Sequence, residues 1–184
     1  MIGLLIAVGV LVVLVLWVVG MYNGLVMSRN QVQNAWSQID VQLKRRHGLI
    51  PNLIETVKGY VAHERGTLEA ITQARSAAMQ ATGPAAAAKA EGALGDALSK
   101  FFLVVENYPD LKANQNFLAL QEELSSTENK ISFSRQFYND ATMSFNTKVQ
   151  SVPTNIVAGM FNFKTAEFFQ VESAADRAVP QVKF

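Results

Sequence analysis

The chain begins with a long uncharged stretch. Residues 2–28 contain no Asp, Glu, Lys, Arg or His, and most of these positions are Leu, Val or Ile. About 20 consecutive apolar residues are enough to cross a hydrocarbon core of about 30 Å as a helix. We therefore predict a transmembrane helix over residues 2–21. Trp17 and Tyr22 lie towards its far end, where aromatic belts occur, and Arg29 follows as the first charged side chain.

Two other interpretations of this stretch are a cleaved signal peptide and a buried core helix. A signal peptide has a basic start, a shorter apolar run and a cleavage site flanked by small residues. This stretch has no basic residue before it, is too long and is followed by no such site. The chain also has no cysteine, which excludes lipoprotein processing. The transmembrane interpretation is therefore favoured.

After the span, apolar residues recur every three or four positions, as on one face of an α-helix. This stripe comprises Val32, Trp36, Ile39, Leu43, His47, Ile50, Ile54, Val57 and Val61. Pro51 interrupts the backbone hydrogen bonding inside it and leaves the carbonyl of His47 without its helical donor. Gly48 loosens the same turn. Because the stripe keeps its phase, we predict a kink at His47, Gly48 and Pro51 and no chain reversal.

Further helices are predicted by periodicity and by their end signals. One follows Gly66, with Thr67 as its cap, unless a single helix continues from Arg29 to about Ala81. Thr82-Gly83-Pro84 predicts the end of that helix, and the alanine-rich run that starts after Pro84 predicts a thin helix that a neighbour can approach closely. Tyr108 before Pro109 predicts the end of this thin helix. A last long helix is predicted over residues 114–149. Its heptad seam has large residues alternating with small ones, and Phe133 and Phe137 widen its apolar face; the large seam residues are Leu124, Ile131, Tyr138 and Phe145.

The tail that follows Pro153 is irregular and rich in aromatic residues. We predict one short helix over residues 165–173, with Phe side chains packed on the bundle. An exposed Phe cluster would instead form a patch for a partner or a membrane surface. The aromatic residues of the tail are Phe161, Phe163, Phe168, Phe169 and Phe184.

These elements together predict an all-α protein. Its fold class is an N-terminal transmembrane helix that continues into an antiparallel three- to four-helix bundle of long helices, followed by the Phe-rich tail. The predicted segments are a membrane anchor with its juxtamembrane part (1–28), the long-helix bundle (29–152) and an irregular tail packed on the bundle (153–184). A break near the membrane at Asn23, Gly24 and Ser28 is the alternative to one continuous first helix.

The charged residues predict how the chain is oriented in the membrane, and they give no indication of nucleic-acid binding. The formal net charge of +1 lacks the basic face that nucleic-acid binding needs, so no nucleic-acid partner is expected. Arg29 and the basic cluster of Lys44, Arg45 and Arg46 follow the span, and the positive-inside rule then predicts a cytoplasmic C-terminal domain. In an upright helix the cluster lies too far from the bilayer to bind lipid, since charge is screened within about 8 Å. We consider it a solvated face or a candidate binding site for a protein partner.

The sequence contains no established catalytic, cofactor or metal motif. His63 and Glu64 lack the second histidine of the zinc-protease motif, and no Gly-rich phosphate loop or nucleophile elbow occurs. We predict no catalytic, cofactor-binding or metal-ligating residues and no small-molecule substrate. His47 is interpreted as a hydrogen-bonded core histidine that could satisfy groups freed at Pro51. The alternative is a membrane-bound hydrolase or proton-transfer enzyme that uses His47 with Asp40 or Glu55 at the kink.

Several short stretches spread along the chain together carry a family resemblance. They are Tyr22-Asn23, Arg29-Asn30, residues 35–46 (AWSQIDVQLKRR), residues 49–60 (LIPNLIETVKGY), residues 134–141 (SRQFYNDA), Asn146, Pro153 and Phe161. In these residues the chain resembles the LemA family of bacterial membrane proteins, and the resemblance covers nearly its whole length. Gly48 departs from the family pattern, which has an acidic residue there about as often as not.

The resemblance implies a single N-terminal span with its N-terminus outside and a cytoplasmic helical, coiled-coil-like bundle. It implies no established catalytic activity, and a likeness of the family to a magnetosome membrane protein points to membrane organisation. We therefore expect a scaffold at the bacterial plasma membrane that forms a homo-oligomer or docks a membrane-protein partner. A lipid-binding protein that uses the Phe-rich tail is a further alternative.

Overall fold

The computed structural model describes residues 1–61 and 63–170, and these residues form six helices and no strand. The helices are α1 (Ile2–Val57), α2 (Arg65–Gln80), α3 (Pro84–Val105), α4 (Pro109–Lys112), α5 (Gln115–Gln150) and α6 (Thr154–Met160). The predicted all-α class is confirmed, as is the long apolar N-terminal helix. The predicted tail residues beyond position 170, including Phe184, lie outside the described residues.

Helix α1 is continuous from the apolar stretch through the amphipathic stripe. It contains Pro51 and continues to Val57, as expected for a stripe that keeps its phase. The break considered at Asn23, Gly24 and Ser28 is absent, and the Ser28 hydroxyl donates to the Gly24 carbonyl oxygen at 3.0 Å within the helix. The stripe residues from Val32 to Val61 are buried or half-buried. The bend angle at Pro51 stays a prediction.

The predicted separate helix α2 is confirmed, but its predicted start is wrong. α1 ends at Val57 and α2 begins at Arg65, so the alternative of a single helix to Ala81 is excluded. Thr67 does not cap α2, because the Glu64 carbonyl already accepts the amides of Thr67 and Leu68 at 3.0 and 3.2 Å. The helix therefore starts one turn earlier than a capping side chain would require.

Proline and glycine end the other helices as the sequence predicts. Gly83, with φ 84°, precedes Pro84 at the first position of α3. Tyr108, which precedes Pro109, has φ −122° and ψ 80°, outside the α-helical region, after the end of α3 at Val105. The Asn114 side chain accepts the amide hydrogens of Asn116 and Phe117 at the start of α5. These contacts satisfy main-chain donors that the first helical turn leaves unpaired.

The chain divides into two compact units, and each unit contains part of α1 and part of α5. The first unit consists of Met1–Ser37 and Gln136–Glu167. The second consists of Gln38–Arg135 and, of the described residues, 168–170. The predicted segments (1–28, 29–152 and 153–184) have other boundaries and stay a prediction.

The second unit has one apolar core to which five helices contribute. Helices α2 and α3 are joined by only three residues, 81–83, and pack along each other. This arrangement confirms the predicted helical bundle. The buried core side chains include Ile50, Leu53 and Val57 of α1, Ile71 of α2, Leu94, Leu98 and Phe101 of α3, Leu111 of α4, and Phe117 and Leu124 of α5.

In the first unit the end of α5 and the following chain pack on α1. The Trp36 and Tyr138 rings lie 5.6 Å apart, and Lys148 Nζ donates to Ser28 Oγ at 2.5 Å, so α5 runs antiparallel to α1 there. The Asn146 amide binds the backbone of Ala166 in both directions, with distances of 2.9 and 2.8 Å. These two bonds hold the segment after α6 against α5.

Two predictions on aromatic residues are also wrong. The short tail helix lies at Thr154–Met160, whereas residues 165–170 of the predicted 165–173 are not helical. The backbone of Ala166 bonds to the Asn146 side chain, not to its own helical neighbours. Phe133 and Phe137 are exposed, because they lie two residues and one residue from the buried seam positions Ile131 and Tyr138.

Candidate functional site

Pro51 leaves one backbone carbonyl of α1 without a helical hydrogen-bond donor, and a side chain of α2 donates to it instead. A proline in a helix cannot donate to the carbonyl four residues earlier, which here belongs to His47. Arg75 Nε donates to that carbonyl oxygen at 2.8 Å. The sequence predicted the unpaired carbonyl but not its donor. His47 is a buried, hydrogen-bonded histidine as predicted, but its Nε2 atom contacts a carboxylate, and Arg75 is the donor to the freed carbonyl.

The carboxylate of Glu91, on α3, is the centre of a buried cluster of charged groups. His47 Nε2 lies 2.6 Å from Glu91 Oε1, and Arg46 Nη2 is ion-paired with Glu91 Oε2. Arg46 Nη2 also donates to the Glu91 backbone carbonyl at 3.2 Å. Only 3% of Arg46, 9% of His47 and 5% of Glu91 is exposed to solvent. We call Arg46, His47 and Glu91 the buried ionic cluster.

A second carboxylate contacts the cluster from its solvent side. Arg46 Nη1 is ion-paired with Glu128 Oε2, whose side chain on α5 is largely exposed. The buried guanidinium therefore lies between one buried and one exposed carboxylate, from α3 and α5. Since α1, α3 and α5 each contribute a charged group, the cluster ties three helices of the second unit together.

The balance of forces on Glu91 keeps it ionised. Burial acts to raise the pKa of this carboxyl, but the hydrogen bond from His47 and the positive charge of Arg46 together outweigh burial. The pKa of Glu91 therefore lies below its ordinary value of 4.5. An ionised carboxylate only accepts hydrogen bonds, so we assign the His47 Nε2 atom as the donor.

The alanine-rich start of α3 explains how a carboxylate reaches α1. Ala87 and Ala88 are buried one turn before Glu91, and such small side chains allow helices to approach closely. Sequence reasoning predicted the close approach but missed Glu91. A signal was present, because Glu91 falls on the periodic buried stripe that continues to Leu94 and Leu98. A lone acidic residue on such a stripe needs a buried cationic partner.

The rest of the predicted basic cluster is paired at the surface. Lys44 Nζ lies 2.6 Å from Asp40 Oδ2, and Arg45 Nη2 lies 2.6 Å from Glu123 Oε1. Arg46 lies inside the buried ionic cluster. Binding of a protein partner by this triplet stays a prediction, and the exposed groups that it can use are those of Lys44 and Arg45.

The structure does not assemble the three residues of the enzyme alternative. Asp40 pairs with Lys44, and Glu55 is exposed with its carboxylate 4.0 Å from Lys58 Nζ. Glu55 lines a cleft of about 690 Å³ between the end of α1 and α2, whose lining residues include neither His47 nor Asp40. Within the described residues no group of three or more His, Asp and Glu side chains could hold a metal ion.

The predicted membrane-interface residues have different surroundings. Trp17 is exposed on the apolar part of α1. The Tyr22 ring packs against Phe161 and Phe163, with centroid distances of 4.7 and 5.7 Å, and the Arg29 guanidinium lies 5.1 Å from the Phe163 centroid. A membrane-interface role for Trp17, Tyr22 and Arg29 stays a prediction.

The apolar part of α1 has no protein packed around it. It is long and apolar enough to cross a membrane, and none of its most apolar 18-residue window is buried. Such exposure differs from a core helix of a soluble protein, which would be mostly covered.

Comparison with known proteins gives one family match and several relatives that each cover most of the chain. The model of the LemA family matches residues 35–184, which include the whole buried ionic cluster. Protein LemA of Metamycoplasma hominis is 33% identical over 156 residues, covering 83% of this chain and 70% of that protein. Magnetosome protein MamQ 2 of Paramagnetospirillum magneticum is 26% identical over 184 residues, covering 86% and 68%. Magnetosome protein MamQ of Magnetospirillum gryphiswaldense is 23% identical over 189 residues, covering 88% and 70%.

Proposed function

Because this chain belongs to the LemA family, we propose that it is a membrane-anchored helical scaffold of the bacterial plasma membrane that self-associates or docks a protein partner. The observation that carries the proposal is the bare apolar start of α1, which continues without a break into a folded bundle. An apolar helix that no protein covers is stable where lipid replaces water. Similarity to proteins named magnetosome proteins is in line with a role at a membrane.

The surface of the second unit supports the association part of the proposal. Phe133 on α5 is 74% exposed, and it borders a shallow groove of about 420 Å³ lined otherwise by Ser, Asn, Glu and Lys side chains. Aromatic side chains with polar surroundings are typical centres of protein–protein interfaces. We propose that the Phe133 ring is buried on association.

The mass of the full-length protein in mild detergent tests this association. We expect a defined oligomer or a co-purifying protein, and Phe133→Ser should reduce the mass or release the partner. Leu103→Ser is the matched control, since Leu103 on α3 is 71% exposed and its change should have no effect. A monomer of the unsubstituted protein with nothing bound would count against the scaffold.

We further propose that the N-terminus faces outwards and the helical units face the cytoplasm. Arg29, Lys44, Arg45 and Arg46 all follow the span, and the positive-inside rule counts Lys and Arg even where acidic residues pair with them. The lack of cysteine makes single-cysteine labelling direct. An impermeant maleimide should label Ser126→Cys only after spheroplasts are permeabilised. Labelling of intact spheroplasts would reverse the orientation.

A further inference from the structure

Helix α6 has apolar side chains on two faces, of which the protein covers only one. Val157 and Ala158 are buried, at 2% and 1% exposure. The other apolar side chains of α6 and its flanks are strongly exposed: Val152 79%, Ile156 62%, Met160 72% and Phe161 52%. Val152, Ile156 and Met160 follow one another at intervals of four residues. Such a cluster of large apolar groups marks a surface that something else covers.

The contacts of the first unit bring this exposed face to the end of the apolar span. The pairs Trp36–Tyr138 and Ser28–Lys148 show that α5 runs back along α1 towards its apolar part. Ser28 is six residues from Tyr22, which is about 9 Å along a helix. The Phe161 ring, which follows α6, packs on Tyr22 with a centroid distance of 4.7 Å. Tyr22 is the first residue beyond the predicted span of residues 2–21.

We propose that α6 and its flanks, through Val152, Ile156, Met160 and Phe161, lie in the headgroup layer of the bilayer that α1 crosses. This proposal rests on the membrane anchoring proposed above. The occupant of the exposed face is lipid, because the face is continuous with the lipid-exposed surface of α1 through the Tyr22–Phe161 contact. Aromatic and apolar side chains at this depth are typical of interfacial helices. The first unit then touches the membrane at a second point besides its span.

This differs from lipid binding by the Phe-rich tail, which the sequence suggested as an alternative. Phe163 and Phe169 are buried in the structure. The residues that we assign to lipid contact are mainly the aliphatic and Met side chains of α6 and its flanks. The exposed Phe161 is the one tail aromatic in this set.

Depth measurement on single-cysteine variants tests the proposal. The cysteine-free full-length chain in liposomes is spin-labelled at Ile156→Cys or Met160→Cys, and collision rates with lipid-soluble oxygen and a water-soluble nickel chelate are compared. Val10→Cys, in the span, is the reference for a label in lipid. Leu103→Cys, at an exposed position of α3, is the reference for a label in water. These positions are all exposed, so the changes remove no core packing.

We expect nickel collision rates at positions 156 and 160 that are several-fold below the rate at position 103, with oxygen rates closer to those at position 10. Equal nickel rates at 156, 160 and 103, with a lipid-embedded label at position 10, would overturn the proposal and leave the anchor intact. Low rates for both reagents at 156 and 160 would mean cover by protein and would also overturn it. A water-accessible label at position 10 would overturn the anchoring itself.

Discussion

At the scale of single residues, Glu91 shows how the buried ionic cluster stabilises the fold. Its carboxylate contacts the Arg46 guanidinium and the His47 ring inside the bundle, and both side chains come from the same turn of α1. Removal of one member of a buried ionic group leaves the others desolvated without compensation. The cluster therefore stabilises this packing of α1 on α3 only while all three groups are present.

Glu91→Gln should lower the free energy of unfolding by about 3 kcal/mol, because Arg46 then stays buried without a full counter-charge on α3. Denaturant unfolding of the full-length protein in mild detergent measures this change. The matched control is Glu123→Gln, which removes a pair with Arg45 at the surface and should cost less than about 1 kcal/mol. Equal effects of the two variants would contradict a buried role for Glu91.

The cluster should also make stability depend on acid pH. The folded pKa of Glu91 lies below the ordinary value of 4.5, so its stabilising contribution is fully present above that pH and is lost as the pH falls through the lowered pKa. Denaturant unfolding is measured from about pH 6 to about pH 3. The difference in free energy of unfolding between the unsubstituted protein and Glu91→Gln should become smaller as the pH falls. A difference that is constant over this range would refute the link.

Arg75 and Pro51 should be energetically coupled. Arg75→Met should cost about 1–3 kcal/mol, since it leaves the His47 carbonyl without a donor. In a Pro51→Ala background the new amide can bond to that carbonyl within α1, so the same change should cost less. A double-mutant cycle from denaturant unfolding gives the coupling, and an equal cost in both backgrounds would mean that Arg75 acts elsewhere.

At the scale of elements, proline and glycine carried most of the predictable information. They predicted the end of α2, the start of α3, the end of α3 and the end of α5, because their effects on the backbone are local. The start of α2 and the position of α6 were mispredicted, since both depend on bonds that periodicity does not report. The Asn146 side chain, for example, holds Ala166 outside any helix.

Two glycines, one before α3 and one inside it, should change the stability in opposite directions when replaced by alanine. Gly83 has φ 84° and ψ 161°, a conformation that is essentially restricted to glycine, so Gly83→Ala should destabilise by about 1 kcal/mol or more. Gly95 lies inside α3 with open space where a Cβ would be, and Gly95→Ala should stabilise by about 0.5–1 kcal/mol. Thermal unfolding of both variants in detergent checks the pair, and a shift in the same direction for both would contradict the backbone argument.

At the scale of the whole molecule, the long apolar N-terminal helix and the helical class were predictable because each follows from composition and period along one segment. The buried ionic cluster was not predictable, since Arg46, His47 and Glu91 are joined only by packing between distant segments. The sequence showed Lys44, Arg45 and Arg46 as one cluster, and the structure gives each of them a different carboxylate. Adjacent charges on a helix point in different directions, so adjacency in sequence did not mean a shared function.

The proposed membrane anchor predicts how the whole chain partitions between membrane and water. Val10→Lys puts a charge in the middle of the span and should cost about 3 kcal/mol of insertion free energy, which reduces the protein retained in membranes after an alkaline carbonate wash. Val41→Lys is the control, because Val41 is exposed on α1 beyond the span. Equal retention of both variants would argue against a transmembrane α1.

The contact between Arg75 and the His47 carbonyl has a consequence in evolutionary terms. The effect of a substitution at position 75 of α2 depends on which residue is already present at position 51 of α1. A lineage that replaced Pro51 first would regain a main-chain donor and could then change Arg75 at little cost, whereas a lineage that lost Arg75 first would carry an unpaired acceptor. Substitutions at these positions should therefore have been accepted in a preferred order, with position 51 before position 75.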